Sequence, residues 1–255
     1  SPAEMRPRAM KAARRALELD PESAEGHEAL GRVKFLFDWD FAAAASSLTR
    51  AVALDAEYMP AYQATAWLES ARGRPAEASA AARRALQLDP VNTARYTELA
   101  WVLALGGRHD EALREIDRAL QLNPRSFETH LMKGWTCELA GQPNAAFAAY
   151  REGLRVGGVP EDALQRIDGV YRAEGLPGYY RGWLERQPRS GSTPMSDTFR
   201  AMVYVRAGEI DRAIESLQQA YRKRESALAW VNVEPSFQPL RSDSRFQAIA
   251  AHVGR

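Results

Sequence analysis

The chain has 255 residues, more than a conventional single core usually organises, and its 34 basic and 33 acidic residues leave a net charge of +1. With no long block of like charge, nothing electrostatic points to nucleic acid or to an anionic membrane surface. A single cysteine excludes an internal disulfide and a multi-cysteine zinc site, and the longest apolar stretch, residues 100–105, is far too short to span a bilayer.

The first segment, SPAEMRPRAMKAARRAL, is charged throughout and is no signal peptide; it predicts a lone helix over about residues 4–19. Its continuation, RRALELDP, is a copy of RRALQLDP at 83–90 and DRALQLNP at 117–124. In each copy a helix is stopped by a proline, which lacks an N–H and disfavours helix in the residue before it. A helix pair over about 25–58 follows, in which the aromatic stretch FLFDWDF, 35–41, replaces a turn glycine and carries one extra residue. Three regular pairs begin near residues 59, 93 and 127. Trp67, Trp101 and Trp135 keep a step of 34 residues, and so do Gly73, Gly107, Gly141 and Gly175. VGGVP, 156–160, reads as a loop. Residues 161–187 hold Gly175 in phase but carry Tyr180 where alanine belongs, which predicts altered packing. A polar loop, QPRSGSTPMSD, leads to a last pair beginning near 194 with Gly208 at its turn, and a final helix follows with Phe246, Ile249 and Val253 on one face.

A period of 34 residues with these landmarks resembles the tetratricopeptide repeat, a helix–turn–helix unit that stacks into a solenoid. Numbering each unit so that the turn glycine is position 15, the small-residue positions 20 and 27 fall on Ala78, Ala85, Ala112 and Ala119. The large residue at position 24 is Leu48, Ile116, Tyr150 or Leu217, and the closing proline at 32 is Pro90 or Pro124. Small residues let helices approach while the large one fills the space beside them. The resemblance implies an all-α fold, a right-handed α-solenoid with a C-terminal capping helix. Residues 1–157 form a regular array that starts mid-repeat, and 158–255 form degenerate units, one further repeat and the cap. The bare half-unit at the start is expected of a segment of a longer protein, or of a helix serving as an N-terminal cap.

Two departures refine the resemblance. Phe37, Trp39 and Asp40 in the aromatic turn, with Pro235, Phe237, Pro239, Leu240, Arg241, Ser242, Asp243, Arg245 and Phe246 in the tail, are similar to repeat modules of certain bacterial regulators. Those include membrane-anchored winged-helix transcription regulators, adenylate cyclases and serine/threonine kinases. The resemblance implies a place in a larger signalling or transcription regulator, cytoplasmic beside a kinase or cyclase and periplasmic beyond a winged helix and a membrane span.

In tetratricopeptide repeats the first helix of each pair lines a concave groove through positions 2, 5, 9 and 12. Position 9 is Val33 (allowing for the inserted residue), Trp67, Trp101, Trp135, Gly169 and Met202; position 5 is Ala29, Gln63, Thr97, Leu131, Gln165 and Thr198. Position 12 adds Ser70, Ala104, Glu138, Arg172 and Val205. The candidate partner-binding groove is therefore Gln63, Trp67, Thr97, Trp101, Leu131, Trp135, Glu138, Arg172 and Met202. The indoles either line this groove or tilt between helices and tighten the superhelix; an indole N–H that needs a partner favours the groove. Chaperone-binding members of the family grip a terminal carboxylate with Lys, Asn and Arg, and Gln63, Trp67, Thr97 and Trp101 stand in those places here.

No phosphate loop, HExxH or GxSxG occurs. Cys137 and His130 are two helical turns apart at core positions, where packing outweighs a nucleophile–base pairing. The expectation is a chain that is no enzyme, with no cofactor and no metal. It would bind a peptide, a helix, a partner protein or another copy of itself through a Trp-lined groove, without direct contact to nucleic acid or membrane; the alternative is a small-molecule sensor using the same groove.

Overall fold

The computed structural model describes residues 2–186 and 195–254, which are helical with no strand among them. Most of the expected polar loop at 187–197 lies outside the described residues. Helix α1, Pro2–Leu19, precedes four pairs: α2 Ala24–Val33 with α3 Phe41–Leu54, α4 Met59–Ala71 with α5 Pro75–Leu88, α6 Thr93–Leu105 with α7 His109–Leu122, and α8 Phe127–Leu139 with α9 Pro143–Val156. After them come α10 Glu161–Arg186, the pair α11 Asp197–Ala207 and α12 Ile210–Arg222, two 3₁₀ turns at Ser226–Trp230 and Pro235–Leu240, and α13 Ser244–Ala250.

Local chemistry sets these boundaries. Ser23, Asn92, Ser126 and Ser196 cap first helices by accepting backbone N–H groups at 3.0–3.2 Å. Helices α5 and α9 open on Pro75 and Pro143, whose missing N–H would have had no partner there. At the α4–α5 turn Gly73 takes φ 68°, which lets Arg74 N–H reach back to Glu69 O at 2.9 Å and close the helix end. Ala78, Ala85, Ala112 and Ala119 are fully buried in the close contacts these turns create. In the fourth pair Tyr150 fills the large position, and a Cβ on Gly134 would stand 2.3 Å from its ring. Tyrosine at one position thus requires glycine at the other.

The extra residue of the first pair corrects the register read from sequence. It is absorbed in a turn of π-helix, Lys34–Asp38, that follows α2 and ends with Trp39 at φ 56°. Counting therefore starts at Ala24, as it starts at Met59, Thr93 and Phe127 in the regular pairs, and the inward positions 5 and 9 are Glu28 and Arg32. Val33 is instead a core residue, 4% exposed.

Helix α10 departs further. Gly175 adopts φ 64° and ψ −157°, breaking the helix into two segments. Tyr180 is buried where regular units hold alanine, Tyr179 is buried beside it, and Phe147 stacks on Tyr171 at 3.8 Å. Gln165, Gly169 and Arg172 of the first segment are exposed.

The final segment buries Phe246 and Ile249 of α13 and Val253 just beyond its end, but not merely on the end of the last pair. They share one core with Phe35, Trp39 and Phe41 from the first pair and Leu217 from the last. Trp39 stacks on Tyr221 of α12 at 5.9 Å, Phe35 meets Trp230 at 5.2 Å, and a Cβ on Gly254 would come within 2.7 Å of Phe41. The first and last pairs of the array are joined through the C-terminal tail.

Candidate binding cavities on the concave side

Two adjoining cavities open on the surface lined by the first helices, and Trp101, Glu128 and Met132 border both. The first, about 690 Å³, takes Gln63 and Trp67 from α4, Thr97, Glu98 and Trp101 from α6, the start of α8, and Trp230 from the tail. The second, about 500 Å³, takes Leu131 and Trp135 from α8, Tyr179, Tyr180 and Trp183 from α10, and Phe199 and Met202 from α11. Glu234 of the tail borders this second chamber, so the C-terminal segment edges both cavities.

Of the residues nominated from sequence, Gln63, Trp67, Thr97 and Trp101 gather at the first cavity, and Trp101, Leu131, Trp135 and Met202 at the second. The three indoles are half-buried. Glu138 stands behind the chamber wall, where it accepts the Tyr180 hydroxyl and pairs with Arg206 at 3.3 Å. Arg172 is not with them: it is exposed and donates to Asp168 O at 3.2 Å. Thr198, at an inward position by count, is fully buried against Glu225.

Trp230 is a cavity residue that the repeat pattern misses. Its ring stands edge-on to Trp101 at 5.4 Å, and its N–H donates to Ser70 Oγ at 2.9 Å. It lies outside the period of 34; its only signal is an aromatic within the apolar run Leu228–Val231. Glu28, Arg32 and Glu98 were missed as well. The Arg32 guanidinium covers one face of Trp67 at 5.4 Å from the ring centroid and reaches Glu28 at 3.5 Å. Glu98 pairs with Arg95 at 2.6 Å and accepts from Gln63 at 3.2 Å. Burial pushes the Glu98 carboxyl above its ordinary range, with Arg95, Gln63 and Trp67 opposing.

The second chamber is apolar with one polar edge. The Tyr150 and Tyr180 hydroxyls are 3.1 Å apart, and Arg206 lies 5.6 Å from the Tyr180 ring while donating to Ser236 Oγ at 2.7 Å. Burial pushes the Tyr150, Tyr179 and Tyr180 phenols far above their usual values, so all three are neutral hydrogen-bonding groups. Burial works against the charge on Arg206, but the Glu138 carboxylate at 3.3 Å offsets it and the guanidinium stays ionised.

The arrangement is suited to binding. Cys137 is buried, and burial raises its thiol above the usual range, opposite to what activates a nucleophile. The His130 ring bonds Pro124 O at 3.0 Å, which leaves the two as packing residues. Among the described residues, no helix is long and apolar enough to cross a membrane.

Residues 69–134 match the tetratricopeptide repeat family model. No curated protein matches the chain. Among solved structures, the chain is similar to that of the Cut9–Hcn1 hetero-tetramer of the APC/C, with TM-score 0.58 and 15% identity over 96% of this chain and 46% of that one. The widely conserved type IV pilus biogenesis factor PilW gives TM-score 0.57 and 16% identity over 93% of this chain and 91% of that one. Pseudomonas aeruginosa pilF gives 0.51 and 20% over 82% and 96%. The fold is an all-α helical-repeat solenoid of the tetratricopeptide type.

Proposed function

We propose that this chain is a non-catalytic interaction module that captures an extended segment of a partner protein on its concave side. An apolar side chain of the partner enters the second chamber, and the neighbouring residues pass over Trp101 into the first cavity. The observation that carries this reading is the apolar chamber of about 500 Å³ whose rim rings, Phe127 and Phe199, remain 37% and 42% exposed. Aromatic anchors in a desolvated pocket are the usual source of such binding energy. The family match over residues 69–134 supports the reading, since such repeats generally serve as non-catalytic scaffolds.

A small apolar or aromatic molecule is the second reading, favoured by a chamber volume within the range of ligand pockets. Selection from a random peptide library, followed by titration under tryptophan fluorescence beside a panel of aromatic small molecules, separates the two. Saturable binding by a selected peptide is expected; saturation by small molecules alone removes the peptide reading.

We also place the module within a larger bacterial signalling or transcription regulator. Its support is that the aromatic turn and the tail, the two signatures of that resemblance, pack in one core through Trp39, Phe237 and Phe246. Sequencing the gene upstream of Ser1 tests it: an effector domain is expected, and its absence rejects the placement. Self-association through the same face is read by light scattering of the purified chain.

A further inference from the structure

The first cavity carries an uncompensated negative charge beside aromatic rings. The Glu98 side chain is only 9% exposed. Its Oε2 accepts from Arg95 at 2.6 Å and from Gln63 at 3.2 Å, whereas its buried Oε1 has the Trp67 side chain nearby but no donor at hydrogen-bonding distance. A carboxylate oxygen without a donor in such a place is costly, which is why the few that occur call for explanation. Arg95 pairs with Glu98 through one terminal nitrogen while its buried Nε has no hydrogen-bond partner and stands 3.9 Å from Asp89, and Arg32 pairs with Glu28 at 3.5 Å. Glu128, on the rim shared by the two cavities, is exposed and has no ion-pair partner among the described residues, only the Ser126 hydroxyl at 3.5 Å. The cavity lining, with Arg95, Glu98 and Glu128 as its charged members, is therefore one negative charge in surplus.

Three indoles, Trp67, Trp101 and Trp230, complete the walls. The Trp67 ring already carries the Arg32 guanidinium at 5.4 Å on one face. The chain thus uses this ring for cation–π contact itself, and such contact strengthens where water is excluded.

We infer that the first cavity receives one organic cation, a lysine or arginine side chain of the partner segment, held between the indoles with a donor to Glu98 Oε1 and its charge balanced by Glu128. The inference rests on the peptide-binding reading above and deepens it: the partner segment carries a basic residue beside the apolar anchor that enters the second chamber. A charged donor supplies the missing hydrogen bond in its stronger, charge-assisted form. An acidic residue at the same place would face two carboxylates, and a neutral aliphatic one would leave Oε1 as it is.

Three pools of random nonapeptides, alike except for a fixed central lysine, norleucine or glutamate, are titrated against the folded chain, with binding followed by tryptophan fluorescence. N-acetyl-lysine methylamide is titrated alone as a fourth probe. The lysine pool is expected to bind about tenfold or more tighter than the norleucine pool, with the glutamate pool weakest. Glu98→Gln, nearly isosteric, should remove most of that preference. Glu128→Gln, on an exposed residue that cannot disturb the core, should reduce it in a salt-dependent manner. Equal binding by the lysine and norleucine pools, or a preference unchanged in both variants, overturns the cation site while leaving the peptide reading intact. Binding of the lysine methylamide with none of the pools overturns the peptide source instead.

Discussion

Trp230 donates its indole N–H to Ser70 Oγ at 2.9 Å across 160 residues of sequence, and the same ring stands edge-on to Trp101 at 5.4 Å. The tail is thereby fixed to the second and third helix pairs as well as to the first. Trp230→Ala is expected to cost about 3 kcal/mol, a value for removing a large ring and leaving a cavity. The loss should appear as a lower urea midpoint with a similar slope. A change below about 0.5 kcal/mol would mean that the ring contributes little to holding the tail.

Gly134 and Tyr150 offer a paired test. A methyl group on residue 134 would approach the Tyr150 ring to 2.3 Å, so Gly134→Ala should destabilise by roughly 1–3 kcal/mol. Tyr150→Leu in the same chain should recover a large part of that loss, since the two residues contact each other and their effects should not add. Thermal melts of the two single variants and the double variant provide the coupling; simple additivity would contradict the contact.

Glu98 gives stability a pH dependence whose sign is fixed. Burial raises its carboxyl above the ordinary 4.5, so in the window just above that value the folded chain binds the proton more firmly than the unfolded chain does. Stability contributed by this group is present at the acid side of the window and falls as pH rises through the raised value. Glu28, also raised by burial, acts in the same direction. Glu98→Gln should flatten the decline, seen as a smaller difference in melting temperature between pH 5 and pH 7 than in the parent chain. An unchanged difference would show that Glu98 does not titrate in that window.

For the chamber, Trp135→Ala should weaken a selected peptide by about 2 kcal/mol while the helical signal persists, because the ring is half-buried at a wall shared by two helices. Isothermal titration with circular dichroism on the same samples distinguishes the outcomes. A fall in melting temperature with unchanged affinity would assign the ring to packing alone.

The step of 34 residues made the helix pairs legible because it reports contacts between neighbours, which recur in every unit. Ala78 and Ala112 are constrained by close helix packing and Gly107 by the positive φ of its turn, and both demands recur in each unit. The register of α2 was misread by one residue because sequence spacing shows that a residue has been inserted but not where a π-turn absorbs it. Glu28 and Arg32 were therefore overlooked beside Trp67. Arg172 lies exposed on a helix that is broken at Gly175 and packed through Tyr179 and Tyr180, a combination with no counterpart in the regular units to calibrate it. Trp230 was illegible for a different reason: its partners, Phe35, Ser70 and Trp101, are remote in sequence, and no periodicity encodes a contact made once.

Open repeat arrays lose their outermost units first, since each terminal pair is held on one side only. Here the core that joins Phe41 and Leu217 through Phe246 denies those pairs a free side. Melting should thus proceed as a single event, and splicing an additional 34-residue unit into the middle would prise the two termini of the circuit apart instead of lengthening a tolerant rod.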